Sequence, residues 1–195
     1  MGKTRTLAGT VSNGGLLVDG AIAISEVTGL QTALDAKSSL VSGTAVTTSS
    51  GTEYFFTGIP ATAKKIKLLV RNVSTTGSSN TWMRVQLGTS GGYISSGYAS
   101  TVTALVNNVA PSQGNDNVGF MPAFGIADAD LYSGVIDLAE ISSNVWVMSS
   151  ILKATFLRMC VSAGDVSLGA ELTSIRFALG SSGSFDGGTV NILYE

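Results

Sequence analysis

The chain has 195 residues, of which only 12% are charged and 24 are glycine, whereas soluble domains average about 25% charged residues and about 7% glycine. Its 11 basic and 13 acidic residues give a net charge of −2, so the sequence lacks the excess of basic residues that is typical of nucleic-acid-binding proteins. No apolar run approaches the ~18 residues that a membrane-spanning helix requires. Because histidine is absent, Ser-His-Asp and Cys-His nucleophile activation and His-bearing zinc sites are excluded, and the sequence predicts a protein that is not an enzyme and uses no cofactor.

Residues 1–22 are rich in glycine, and Leu16, Leu17 and Val18 form their only apolar cluster. Such a segment becomes ordered only when it packs against something else. We therefore predict an extended leader that docks on other proteins of a larger assembly. A loose chain terminus is the alternative interpretation.

Residues 25–37 (SEVTGLQTALDAK) form the one segment with a convincing helical pattern. Val27, Leu30 and Leu34 follow one another at spacings of three and four, as in the seam of a coiled coil. About two heptads are too short to be stable alone. We predict that residues 23–42 form a short helical joint in which these three side chains mediate oligomerisation. A helix that packs on its own β-domain is the alternative.

From residue 43 to residue 195 the apolar period changes to two, which is typical of half-buried strands. About nine to eleven short strands separated by Gly/Ser turns favour an all-β fold, a jelly-roll-like β-sandwich, over residues 43–195. The strands are predicted at Glu53–Thr57, Lys65–Arg71, Trp82–Leu87, Gly97–Thr101, Tyr132–Leu138, Val145–Leu152, Phe156–Ser162, Leu172–Leu179 and Thr189–Tyr194.

The predicted strand Val145–Leu152 is apolar on both faces. Trp146 and Met148 lie on one face, and Val147 and Ile151 lie on the other. Since only one face of a strand packs into the core of a sandwich, we expect the other face to meet another subunit.

Three aromatic residues, Trp82, Tyr93 and Tyr98, flank loops rich in glycine and serine. Amphipathic rings beside such loops are suited to stacking on sugars or packing on a partner protein. They are therefore the candidate residues for surface recognition. Membership of the hydrophobic core is the alternative for each of them.

Two loops contain several side-chain oxygens, 115–117 (NDN) and 127–130 (ADAD). Neither has the spacing of an EF-hand or an obvious bidentate Glu, so ordinary turn chemistry is favoured over a Ca²⁺ site and no metal site is predicted. A pair of carboxylates for glycoside cleavage could be drawn from Asp128, Asp130, Asp137 and Glu140, but the chain is small for such an enzyme.

Two parts of the chain resemble bacteriophage tail-fibre proteins. The segment 25–37 resembles the short helical segment that recurs in them, and residues 51–98 and 185–195 (FDGGTVNILYE) resemble the β-domains that close many tail-fibre and other phage virion proteins. The resemblance covers roughly residues 22–100 and 172–195. It implies a trimeric, non-enzymatic component of the virion.

Two functions compete on these observations, and a free-standing glycan-binding protein is a third that the leader makes less attractive. The first is a short homotrimeric fibre or spike that is attached to other virion proteins through residues 1–22 and whose exposed β-domain contacts a glycan or protein of the host surface. The alternative is a decoration protein, such as a head fibre, that is fixed to the capsid or tail and has a structural role without receptor binding.

Overall fold

The chain divides into two compact units, Met1–Ser39 and Leu40–Glu195. A computed structural model describes residues 11–12, 16–17, 40–77, 81–106, 109–126, 128, 130–155 and 157–195. Among the residues described in the first unit, strand β1 (Val11–Ser12) pairs antiparallel with strand β2 (Leu16–Leu17), so the predicted leader contains a short pair of strands. The predicted helix 25–37, with its seam residues Val27, Leu30 and Leu34, lies outside the described residues and stays a prediction.

The second unit is built from two antiparallel sheets. The larger has the strand order β10-β9-β14-β13-β12-β6-β16-β3, with β4 also paired to β16, and the smaller has the order β11-β7-β15-β5, with β8 paired to β7. The prediction of an all-β sandwich is confirmed at this level. The strands are β3 (Val41–Ser42), β4 (Val46–Thr47), β5 (Glu53–Thr57), β6 (Lys65–Thr75), β7 (Thr81–Thr89), β8 (Gly92–Tyr93), β9 (Ala99–Val106), β10 (Val109–Asp116), β11 (Phe120–Ile126), β12 (Tyr132–Ser142), β13 (Val145–Lys153), β14 (Arg158–Ser167), β15 (Ser174–Leu179) and β16 (Phe185–Tyr194).

One hydrophobic core lies between the sheets, and alternation along the strands decides which side chains enter it. Strand β6 buries Ile66, Leu68 and Val70, while its Lys65 and Lys67 stay exposed. The predicted alternation is also present in β7, where Met83, Val85 and Leu87 are buried, whereas six of the seven residues of β11 are buried. The largest fully buried side chains are Trp146, Tyr132, Phe120, Phe177, Phe185, Ile66, Leu68, Met83, Leu87, Ile126, Ile136 and Leu138.

Each of the nine predicted strands overlaps an observed one, but the boundaries and the number of strands differ. No strand is predicted at β3, β4, β8, β10 or β11. At the other end, the predicted helical joint 23–42 includes Val41–Ser42, but these two residues pair as β3 with Leu193 and Tyr194 of β16. The β-domain therefore begins before the predicted boundary at residue 43.

A two-residue turn connects β12 to β13. Ser143 and Asn144 both have positive φ, at 45° and 68°, which is the type I′ geometry that matches the twist of a hairpin. The Asn144 N–H donates to Glu140 Oε1 at 2.8 Å, and Glu140 also pairs with Lys64. The hydrogen bond from the Lys64 ammonium, and then that from the Asn144 N–H, hold the pKa of the Glu140 carboxyl below its usual range.

A substitution at Gly188 tests how closely β16 approaches β6. It has a φ of +99°, and a Cβ at this position would lie 2.5 Å from the main chain of Val73. We expect Gly188→Ala to lower the free energy of unfolding by about 1–3 kcal/mol, because the new side chain would be strained and would meet the paired strand.

Gly169→Ala is the matched control, because nothing lies within 4 Å of its added Cβ. We expect this variant to change stability by less than about 1 kcal/mol. Urea unfolding at one protein concentration measures both variants. Equal midpoints would contradict the close approach.

Candidate functional site

The outer face of the smaller sheet carries several aromatic and charged side chains. Arg176 of β15 lies opposite Gln86 of β7 on one side and Phe55 of β5 on the other. Trp82 and Arg84 continue the same face along β7, since they share the alternation of Gln86. We call this surface the small-sheet face and define it as Glu53, Phe55, Trp82, Arg84, Gln86, Tyr93 and Arg176.

Asp116 of β10 holds one end of the small-sheet face in place. Its carboxylate accepts hydrogen bonds from Arg84 Nε at 2.7 Å, from Trp82 Nε1 at 3.3 Å and from the Val118 N–H at 2.8 Å. The Arg84 guanidinium carbon also lies 5.7 Å from the centroid of the Trp82 ring, within reach of a cation–π contact. These charge-assisted contacts fix the indole and the guanidinium together.

Two glycines make room for the Trp82 and Arg84 side chains. A Cβ on Gly180 would overlap the indole nitrogen of Trp82, and one on Gly119 would come within 2.6 Å of Arg84 Cγ. Both side chains therefore lie directly against neighbouring main chain.

Gln86 occupies the middle of the small-sheet face and is only 3% exposed. Its Nε2 donates to Val118 O at 3.0 Å and to Ile94 O at 3.3 Å, and its Oε1 accepts from Arg176 Nη1 at 3.1 Å. Arg176 forms an ion pair with Glu53 through Nη2, and its buried Nε has no hydrogen-bond partner among the described residues. The centre of the face is thus an ordered array of planar polar groups.

Phe55 and Tyr93 form the other end of the small-sheet face. Their ring centroids are 5.7 Å apart with an interplanar angle of 38°, and Phe55 is 48% exposed. A Cβ on Gly88 would lie 2.9 Å from the Tyr93 ring, so this ring also rests on main chain. Of the predicted recognition residues, Trp82 and Tyr93 are both half-buried and share this face.

Tyr98 does not belong to this surface, and its predicted exposure is wrong. It is 4% exposed, and its ring meets Phe120 edge-on with centroids 4.9 Å apart. Its hydroxyl accepts a hydrogen bond from the Leu87 N–H at 2.8 Å. The ring fills the core because this buried N–H gives its polar oxygen a partner.

In both oxygen-rich loops, an aspartate side chain forms contacts that stabilise the fold. Asp116 of the loop 115–117 is occupied by Arg84, Trp82 and Val118, and Asp130 pairs with Arg158 Nη1 at 2.9 Å beside the buried Tyr132 hydroxyl. Among the described residues, no group of three or more Cys, Asp or Glu side chains is arranged to hold a metal ion.

The carboxylates considered for glycoside cleavage are separately engaged. Asp130 pairs with Arg158, Asp137 pairs with Lys67 and Glu140 pairs with Lys64, while Asp128 is exposed. Three of the four thus have different basic partners.

The outer face of the larger sheet carries a row of apolar side chains among charged and polar ones. Leu69, Val135, Ile151 and Val161 lie opposite one another on β6, β12, β13 and β14, and Ile151 is 60% and Val161 41% exposed. We call these four residues the apolar stripe. Of the two apolar faces of this strand, the one with Trp146 and Met148 points into the core, and the one with Val147 and Ile151 points away from it. Exposed Met159 and Leu105 extend the apolar surface on one side, and the Lys67–Asp137 pair borders it on the other.

No protein-family model matches the chain, and the search of curated proteins gives no match. In the part of the chain that the structure describes, no helix is long and apolar enough to cross a membrane.

Tyr98 contributes to the pH dependence of the stability of the fold at alkaline pH. Burial raises the pKa of Tyr98 to about 12, whereas a tyrosine in an unfolded chain has a pKa near 10. Between these values the unfolded chain has lost the proton and the folded chain keeps it. Stability therefore falls as the pH rises from about 10 to 12, by at most about 1.4 kcal/mol per pH unit for this group.

We expect Tyr98→Phe to be less stable than the parent at pH 7, because the buried Leu87 N–H loses its acceptor. The same variant should lose stability less steeply above pH 10. Urea unfolding between pH 7 and pH 11 measures both effects. A variant with the parent's slope above pH 10 would show that Tyr98 does not contribute.

Proposed function

We propose that the chain is a structural component of a bacteriophage virion, a short homotrimeric fibre or spike whose β-domain is exposed and contacts the host surface. The observation that carries the proposal is the apolar stripe on the outer face of the larger sheet. The resemblance of residues 25–37, 51–98 and 185–195 to tail-fibre proteins supports it.

The apolar stripe is suited to contact between copies of the chain. It crosses four neighbouring strands and is therefore about 14 Å long, and Met159 and Leu105 widen it. Contiguous apolar surface of this kind marks interfaces more often than free surface. Three copies can bury their stripes around a shared axis in a closed assembly.

The other parts of the chain have roles that follow from this arrangement. The leader 1–22 attaches the fibre to other virion proteins, and the helical joint 23–42 aligns three chains through Val27, Leu30 and Leu34. The sandwich, with jelly-roll-like connections, forms the exposed tip. A joint of about two heptads stabilises a trimer only weakly, so the stripe supplies most of the interface.

Light scattering coupled to size exclusion tests the trimer. The expected mass is three times 19.9 kDa, and a monomer at micromolar concentration would overturn the proposal.

The position of the protein on a particle distinguishes the fibre from the decoration protein. For a receptor-binding fibre, antibodies against the β-domain should block adsorption to host cells. Normal adsorption by particles that lack the protein, with altered particle stability, would favour the decoration protein instead.

Substitutions in the apolar stripe test its part in assembly. We expect Ile151→Lys or Val161→Lys to raise the dissociation constant of the trimer by more than about tenfold, because a buried unpaired charge costs several kcal/mol. Thr57→Lys places the same charge at an exposed position of the smaller sheet and should leave assembly unchanged. Sedimentation velocity measures assembly, and circular dichroism checks that each variant is folded.

Leu30→Asp tests the helical joint in the same assay. It should also weaken the trimer. If Leu30→Asp dissociates the trimer while both stripe variants assemble normally, the joint and not the stripe is the interface.

A further inference from the structure

We propose that strand β5 pairs with β5 of a second copy of the chain, antiparallel and centred on Phe55, so that the smaller sheets of the two copies join into one continuous sheet. This inference goes beyond the proposed function. It concerns contact between copies through a sheet edge and depends neither on the apolar stripe nor on the trimer.

The direction of the backbone groups in the smaller sheet can be read from the hydrogen bonds of β15. The Leu179 N–H donates to Thr52 O at 2.9 Å, just before β5, and the Gly180 N–H donates to Trp82 O of β7, also at 2.9 Å. In an antiparallel ladder, successive residues bond alternately to the two neighbouring strands. Odd-numbered residues of β15 therefore bond to β5, and even-numbered residues bond to β7.

The same alternation leaves the outer edge of β5 unpaired. Tyr54 and Phe56 lie opposite odd-numbered residues of β15 and direct their N–H and C=O groups towards it. Glu53, Phe55 and Thr57 direct theirs to the other side. Among the described strands, β5 has β15 as its one neighbour. The outward groups of these three residues have no hydrogen-bond partner in the described part of the chain.

The space beside this edge is open. Gly51 and Gly58 bound the strand with φ of 76° and 74°, and a Cβ on either glycine would meet nothing within 4 Å. Phe55 is 48% exposed, and Thr57 is also exposed. Another strand can therefore approach along the whole of β5.

The other sheet edges of the second unit have features that hinder such pairing. Strand β10 contains Pro111 and has a register shift, and β11 contains Pro122 and also has shifts. Strands β3 and β4 are only two residues long. Prolines, irregularities and short strands are the usual protection of an edge. Strand β5 has five residues and contains neither proline nor lysine.

The sequence of β5 is complementary to itself when the two strands run antiparallel about Phe55. The two Phe55 rings then lie side by side, Glu53 lies opposite Thr57 of the second copy, and Tyr54 lies opposite Phe56. Aromatic pairs of this kind stabilise neighbouring strands, and no like charges are opposed. The three outward-directed pairs exchange about six hydrogen bonds. A second copy is therefore the occupant that the edge fits.

The contact is small and has two-fold symmetry. A five-residue edge buries less than the ~1,200 Å² that is typical of stable complexes, so the pairing is weak in solution and increases where copies are held close together. A two-fold contact does not close a ring of three. In a trimer, each β5 edge thus remains available to a copy of another trimer.

Sedimentation velocity of the full chain, from about 5 µM to about 500 µM, tests the pairing. We expect the mass to rise with concentration above that of the species present at the lowest concentration. Thr57→Pro should raise the dissociation constant of this step by about tenfold or more, because it removes an outward N–H and places a ring at the edge.

Thr57→Ala is the matched control, since it keeps the N–H, and it should change the dissociation constant by less than about threefold. Circular dichroism checks that both variants are folded. Equal association by the two variants would overturn the proposal, as would a mass that does not change with concentration.

Charges at position 57 test the register. Thr57→Glu places a carboxylate opposite Glu53 of the second copy and should weaken the pairing by about twofold or more, whereas Thr57→Lys should strengthen it to a similar extent. Neither substitution should alter the species present at low concentration. Two charge variants that shift the association in the same direction would contradict the register.

Amide hydrogen exchange followed by NMR gives an independent readout with an internal reference. The Tyr54 and Phe56 amides should be protected at every concentration, because they bond to β15. The Phe55 amide should exchange freely in dilute protein and become protected in concentrated protein. Protection of Phe55 that is independent of concentration would show that the edge is covered within one assembly. A Phe55 amide that stays unprotected throughout would leave the edge to a strand of another protein; either result overturns the proposal.

The same measurements separate this inference from the proposed function. A trimer whose mass is constant over the whole concentration range would retain the fibre and exclude the edge pairing. A monomer at low concentration that dimerises, and whose dimer is weakened by Thr57→Pro, would retain the edge pairing and exclude the trimer.

Discussion

The register of β13 within the larger sheet is the constraint on which the rest of the structure depends. With Trp146, Met148 and Leu152 directed inward, Val147 and Ile151 point outward. A slip of one residue would exchange the two sets and place the indole of Trp146 in water. The type I′ turn at 143–144 and a buried hydroxyl pair, Ser150 Oγ to Ser162 Oγ at 2.7 Å, hold the register.

The two outer faces follow from this register and have different chemistry. On the larger sheet the pairing of β6, β12, β13 and β14 brings single apolar residues into one continuous stripe. On the smaller sheet the outward positions hold ion-paired arginines and rings seated on glycine. A surface of the first kind gains by losing water, whereas one of the second kind gains by forming directed contacts.

Much of the sandwich could be predicted because apolar and polar residues alternate along a strand that has one buried face. The prediction failed in strands where this alternation is weak. Strand β10 contains Pro111 and Gly114, and β11 contains Pro122 and Gly125, residues that normally argue against a strand interior. Tyr98 is a candidate surface residue in the sequence because it flanks a loop rich in glycine and serine, and nothing local reveals the Leu87 N–H that donates a hydrogen bond to its hydroxyl.

The candidate site was only partly predictable for a related reason. Trp82 and Tyr93 stand out as aromatics beside glycine-rich turns. The carboxylate that orients Trp82 comes from Asp116, 34 positions along the chain. Gly180 and Gly119 have no local signal that distinguishes them from turn glycines, because their role is to leave space for a side chain of another strand.

The glycines that rest beneath Trp82 and Tyr93 also bear on how such a surface changes over evolutionary time. A ring seated on main chain keeps its place when neighbouring side chains are exchanged, since the backbone is the same for every residue type.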